Sequence, residues 1–291
     1  MKCLYSAIAA LCISTHAFAD LPLTIAELIT EKGQLRLETS FNYATTDNKS
    51  VFIQAVEVND SNQDTVTIPM AVNHRENKDL FTLSTGIRYG LFVDWEIYTR
   101  IAAQHSQSKI DTNGVYSSES DNKFDSVTIG INHQFSNDND TPALLVFLDT
   151  QILENVGTDE QDILNAKTWN LGVITYRSID PIVLAMGVGY NYTADKHINN
   201  QTVDSGDMWY LNPNIAFAVN TEITLTSGLQ YAFYSDSYTD GKVSAMGYSR
   251  SSLELGLGYA PTDKLILNLK STSSTSGTNF SNLNLNLVYK F

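Results

Sequence analysis

From Asn282 to Phe291 the chain alternates. Leu283, Leu285, Leu287, Tyr289 and Phe291 are apolar or aromatic, and the residues between them, except Val288, are Asn or Lys. A period of two describes a strand. With one face oily and the other polar, such a strand borders an apolar medium and water at once, and lipid is the candidate for the apolar side. The last strand of a soluble sandwich satisfies the same local pattern, so the rest of the chain has to discriminate.

Residues 1–19 read as a secretory signal peptide, with Lys2, an apolar run from Leu4 to Ile13 and the cleavage pattern Ala17-Phe18-Ala19. The mature chain then starts at Asp20. Both cysteines, Cys3 and Cys12, fall inside that peptide, which leaves no thiol for a disulfide or a metal. After residue 19 no apolar run approaches the roughly 18 residues that a membrane helix needs. A spanning chain of this kind must close as a β-barrel, because lipid offers the backbone no hydrogen-bond partner. The formal charge of −14, one unit more negative once Lys2 is removed, argues against nucleic acid as a partner.

Three segments follow: the signal peptide at 1–19, a short periplasmic or plug helix within 20–33, and a barrel over 34–291. Thr24 and Glu27 form a capping box, Ile25, Leu28 and Ile29 share a face, and Gly33 is a stop, so a helix is expected over 24–32. It is too short to persist unaided and must dock. From Gly33 onward the pattern predicts an all-β, transmembrane, antiparallel up-and-down barrel of about 12 strands, with short periplasmic turns and longer extracellular loops. The strands are expected near 34–45, 79–89, 94–105, 122–135, 142–153, 166–177, 180–193, 205–219, 221–234, 245–260, 263–272 and 279–291. Both chain ends must lie at the periplasmic rim, so the count must be even. For that reason 51–72, although strand-like, is read as a hairpin folded within the first extracellular loop. The stretches 106–121, 194–204 and 235–244 are read as long loops.

Alternation also assigns the inward face. Arg36, Glu38, Arg88, Glu96, Arg100, Glu254 and Lys290 are expected to line the pore, most of them on strands that barrel closure makes neighbours. Gly130, Asn132, Gly172, Ala185, Gly187, Gly189, Asn214 and Ala216 form a small-residue wall opposite. The charged wall suits a selectivity surface for polar solutes. It equally suits internal ion pairing, or a grip on a plug formed by Ile25, Glu27, Leu28 and Ile29. An enzyme is not expected: His133 and Ser136 differ in parity, and the remaining histidines lack ligand spacing. No cofactor or metal is expected either, since no calcium-loop pattern occurs.

The final strand, ending in Tyr289 and Phe291, resembles the C-terminal sorting strand of bacterial outer-membrane barrels. That resemblance implies outer-membrane lipid and the barrel-insertion machinery as partners. Leu21-Pro22-Leu23-Thr24-Ile25 to Leu28, Gly86-Ile87-Arg88-Tyr89-Gly90 with Glu96-Ile97-Tyr98, Tyr176-Arg177-Ser178-Ile179-Asp180-Pro181 and Leu211-Asn212-Pro213-Asn214-Ile215-Ala216-Phe217 together resemble the meta-pathway phenol-degradation transporter barrels. The chain is also similar in architecture to the barrel of the functional-amyloid export pore, without that pore's coiled-coil extension. These resemblances imply a passive outer-membrane channel for a small organic solute or a peptide. The alternatives are a non-conducting structural or adhesive barrel and a peptide or amyloid export pore.

Overall fold

The computed structural model describes residues 29–59, 65–155, 163–198, 201–277 and 279–291. Twelve antiparallel strands form the wall: β1 Leu35–Asn59, β2 Thr65–Phe92, β3 Trp95–Thr112, β4 Val115–Ser136, β5 Ala143–Asn155, β6 Thr168–Ile179, β7 Ile182–Thr193, β8 Met208–Ala218, β9 Ile223–Tyr234, β10 Tyr248–Thr262, β11 Leu265–Ser276 and β12 Asn279–Lys290. Each pairs with the next, and β12 returns to β1 from Arg36↔Lys290 to Asp47↔Asn279. Closure satisfies the wall's backbone from strand to strand, the condition for residing in lipid. Phe291 N donates to Leu35 O at 3.2 Å and finishes the seam.

The period of two settles which side faces lipid. Phe41, Phe81, Leu83, Ile87, Ile101, Leu184 and Met186 are large, apolar and exposed. A soluble sandwich would bury them at about 1.5–3 kcal/mol each. Here they form an outer belt, flanked by Tyr89, Trp95, Tyr259 and Tyr289 at the rim that holds both chain ends, and by Trp169, Trp209 and Tyr231 towards the other. The buried side chains point inward instead. Ala143, Leu145, Tyr176, Val183, Ala216, Ile266 and Val288 pack one half of the periplasmic end of the lumen.

Several expectations change. The segment 51–72 is not a hairpin folded within a loop but the upper part of β1 and β2, paired in unbroken register from Leu35↔Tyr89 to Asn59↔Thr65. The strand count stays even because the pair lengthens two strands and adds none. The stretch 106–121 is likewise strand, since β3 and β4 run on to the two-residue turn Asn113-Gly114, whose φ values of 52° and 84° suit Asn-Gly. The loops over 194–204 and 235–244 hold four short strands, at 196–198, 201–204, 237–239 and 242–245, which make a small sheet of their own. Of the expected helix, residues 24–28 lie outside the described residues. Ile29–Lys32 are not helical: a bend at Ile29 is followed by irregular chain, Lys32 bridges Gly90, and Gln34 N closes a turn on Glu31 O at 3.0 Å.

Candidate functional site

Inward-facing charges from β1, β2 and β3 meet the start of the described chain at the periplasmic end of the lumen. Glu96, fully buried, is the hub. Its Oε1 accepts from Arg88 Nη2 at 2.6 Å and from Asn132 Nδ2 at 2.6 Å, and its Oε2 accepts from the backbone N–H of Thr30 at 2.6 Å. Arg88 also donates to Glu38 at 2.8 Å, and so divides its charge between two carboxylates. Arg36, 4% exposed, donates through Nη2 to the carbonyl of Ile29 at 3.0 Å. Lys290 lies in register with Arg36 across the β1–β12 seam. A charge buried this deeply is tolerated only when its bonding capacity is filled, and Glu96 fills it partly with main chain from residue 30. The cluster is therefore also a receptor for the segment Ile29–Thr30.

Gly90 completes that receptor. Gly33 N donates to Gly90 O at 2.7 Å and Gly90 N to Gln34 O at 3.2 Å. A Cβ on Gly90 would collide with the carbonyl oxygen of Glu31. Glu31 itself is exposed, with its carboxylate accepting from Gln34 at 2.7 Å rather than facing the arginines. Ile25, Glu27 and Leu28, the remaining expected plug residues, lie outside the described residues.

Arg100 differs from Arg36 and Arg88. It is exposed to the lumen, lies 5.9 Å from the Tyr98 ring centroid and has no ion pair among the described residues. Beside it Asp149 accepts from Tyr98 Oη at 2.8 Å and from Asn170 Nδ2 at 3.2 Å. The opposite wall is not the bare small-residue surface expected. Tyr98 lies over Gly130, Phe147 over Gly172 and Tyr210 over Gly189, each so close that a Cβ on the glycine would strike the ring. Aromatic side chains thus cover backbone that the glycines leave open, and they line the lumen at mid-height.

Next to Phe147 and Tyr210 is a cavity of about 310 Å³. Phe147, Ile174 and Tyr210 give it an apolar side, and Asn212, Glu254 and Lys270 a polar one. Glu254 accepts from Asn212 Nδ2 at 2.8 Å, Lys270 Nζ at 3.3 Å and Thr272 Oγ1 at 3.4 Å. The Lys270 side chain remains half exposed, which leaves donor capacity facing the cavity. Further out, Arg250 stacks on Phe280 at 4.5 Å and donates to Tyr234 Oη at 3.0 Å. Of these residues Glu254 is prominent from charge and parity, and Lys270 and Arg250 carry the same signal, being charged and in phase with the buried Thr272 and Ser252. Tyr98 and Tyr210 also have inward parity, yet their partnership with glycines appears only once the strand register is known.

The histidine–serine pair weighed for catalysis is engaged elsewhere. His133 stacks on Trp95 at 4.0 Å on the lipid side, and Ser136 Oγ donates to Pro142 O at 3.0 Å.

These features match a known architecture. The fold is that of an outer-membrane β-barrel. The COG4313 outer-membrane channel from Pseudomonas putida F1 is similar, with a TM-score of 0.64 at 12% identity, over 96% of this chain and 100% of that one. The translocator domain of the autotransporter NalP from Neisseria meningitidis superposes with a TM-score of 0.52 at 10% identity, over 90% of each chain. No protein-family model and no curated protein matches the chain. Its closed wall and lipid-facing belt are those of a barrel that resides in a membrane.

Proposed function

We propose that the protein is a passive outer-membrane channel for a small organic solute with an apolar body and a hydrogen-bonding group. The observation that carries this reading is the mid-lumen cavity, apolar along Phe147, Ile174 and Tyr210 and polar along Asn212, Glu254 and Lys270. Its volume is at the lower end of the range for small-molecule sites, and a few placed polar groups on an apolar lining are what such sites use to orient a ligand. The flat rings accept a planar solute face-on, and the Lys270 ammonium meets an oxygen acceptor on it. The similar fold of the COG4313 outer-membrane channel supports passage across the wall.

In this reading the charged cluster at the periplasmic end holds the channel shut by binding the N-terminal segment, and Arg100, exposed above it, biases the open path towards anions. Planar-bilayer recordings test it. The full mature chain is expected to conduct weakly, a variant lacking residues 20–32 to give larger, defined steps, and the paired change Phe147→Ala with Tyr210→Ala to abolish block of that current by an aromatic solute. Absence of steps in both proteins would return the barrel to the second reading, a non-conducting structural barrel, which the packed periplasmic layer of Leu145, Val183 and Ile266 favours.

A further inference from the structure

β1 to β4 rise well beyond the other strands, since β12 leaves β1 at Asp47 and β5 leaves β4 at Ser126. Their outward faces continue the lipid-facing belt only as far as the row Tyr43, Phe81 and His105. A notch lies at the top of the belt. In the row Phe41, Leu83, Ala103, Phe124, formed by strand register, Ala103 is the single small residue. The bulge opposite Ala102 and Ala103 skips Asp125 and turns Phe124 outward to wall one side. The resulting groove is apolar, about 760 Å³, and rimmed above by Tyr43, Phe81 and His105, with Phe81 4.7 Å from Tyr43 and 6.1 Å from His105.

Directly above that rim the same face becomes charged. Asp47 is in register with Asn77 and Lys109, and Lys49 with Arg75 and Asp111. Two further grooves, of about 470 and 710 Å³, are lined by Arg75, Lys109 and Asp111, and by Lys49, Arg75 and Asp111. The strip also carries Asp47, Asp79 and Asp111, so its formal charge is balanced. Its acids, however, are turned to the protein. Asp47 takes both Nε and Nη2 of Arg75 and lies 3.8 Å from Lys49 Nζ, Asp79 takes the Tyr43 hydroxyl, and Asp111 takes the N–H of Gly114. The cations nevertheless keep solvent-facing surface: the Lys49 and Arg75 side chains, though paired with Asp47, are 65% and 55% exposed against 25% for Asp47, and Lys109 is exposed with no ion pair among the described residues. On a chain of net charge −14 a charge-balanced strip with an exposed, unpaired lysine repels an anionic amphiphile less than an acidic surface would.

We propose that the outward face of β1–β4 is a docking site for a phosphorylated, multiply acylated glycolipid of the outer leaflet, the lipid A portion of lipopolysaccharide. An acyl chain fills the notch over Ala103 between Leu83 and Phe124, the sugar rests on the ring edges of Tyr43 and Phe81, and the phosphates meet Lys109, Arg75 and Lys49. The nearest cation, Lys109, is in register with Asn77, four residues and about 13 Å along the strand from Phe81 and less in height once the strand is tilted, a span that a diglucosamine and the lysine side chain can bridge together. Continuity of the apolar groove with the bilayer belt is what points to a lipid rather than a soluble anion.

The purified full-length barrel in detergent, titrated with lipid A and followed by native mass spectrometry, tests the proposal. Bis-phosphorylated lipid A is expected to be retained at one molecule per barrel, and dephosphorylated lipid A and phosphatidylglycerol much more weakly. Combined Lys49→Gln, Arg75→Gln and Lys109→Gln should weaken lipid A binding about tenfold or more. Ala103→Phe, which fills the notch, should weaken it for the phosphorylated and dephosphorylated forms alike. Heat-modifiable migration on gels checks that both variants fold. Equal retention of phosphatidylglycerol, no retention of lipid A, or undiminished binding by the triple variant would overturn the assignment. So would occupation of the notch by a small aromatic solute that leaves lipid A binding unchanged.

Discussion

Glu96 illustrates how one buried carboxylate serves two tasks. It neutralises Arg88 within the wall and accepts the Thr30 N–H from the chain that precedes it. Removing it by Glu96→Ala is expected to destabilise the barrel by about 3 kcal/mol, because Arg88 keeps only Glu38 in a desolvated setting. Equilibrium urea unfolding in detergent measures this, and an unchanged midpoint would contradict the hub role. Asp138, on the periplasmic turn 137–142, is a surface counterpart. Its carboxylate accepts the Ser178 N–H at 2.7 Å and an Arg177 N–H at 3.1 Å. Partial burial pushes its pKa up, but the Ser178 bonds and Arg177 outweigh that and hold it below the ordinary 3.8. A depressed folded pKa means that the clamp stabilises the barrel fully above the unfolded value and is lost as pH falls from there through the folded one. Asp138→Asn should therefore lower stability at pH 7, and the difference from the parent should shrink steadily below about pH 4. A difference that stays constant down to pH 2 would contradict the clamp.

The N-terminal segment and the long hairpins show where an element's role depends on its contacts. Ile29–Lys32 is not helical because Glu96, Arg36 and Gly90 each engage backbone that a helix would have used internally. Gly90→Val should dislodge the segment by collision with the Glu31 carbonyl while leaving every charged residue in place. Higher bilayer conductance with unchanged heat-modifiability is the expected outcome; parent-like conductance would mean that the segment does not gate. The β3–β4 hairpin carries its own signal in the sequence, since Asn113-Gly114 is a strong two-residue turn cue. Polar residues on both faces of 106–121 obscured it, because strands beyond the membrane have no apolar belt to satisfy.

At the level of the whole barrel, closure depends on the last strand. Tyr289 and Phe291 pack edge to face at 5.2 Å, and Phe291 N bonds Leu35 O, so the terminal residue bridges the first and last strands. Deleting Phe291 is expected to leave unassembled, protease-sensitive chain in the periplasm. Normal insertion of the deletion, seen as heat-modifiable protein in the outer membrane, would argue against both a sorting role and a closing role. The rim assignment has its own check. An epitope inserted between Asn113 and Gly114 should be reachable on intact cells, and one at Asn139 should not.

What was legible in the sequence follows from period two, which is local. Alternation along 282–291, 34–45 and 79–89 marks strands, divides lipid face from lumen face, and with both ends at one rim requires an even count. The inward parity of Arg36, Glu38, Arg88, Glu96, Arg100, Glu254 and Lys290 was legible for the same reason. Which of them touch was not. Thr30 and Glu96 are 66 residues apart, and Asn212 and Glu254 are 42 apart. Their meeting depends on register and on the stagger of closure, which shift whole strands past one another without changing the alternation of any strand. The rings of Tyr98, Phe147 and Tyr210 over glycines of neighbouring strands, the notch over Ala103 and the extension of β1–β4 beyond the wall are all products of register, so they belong to the tertiary structure alone.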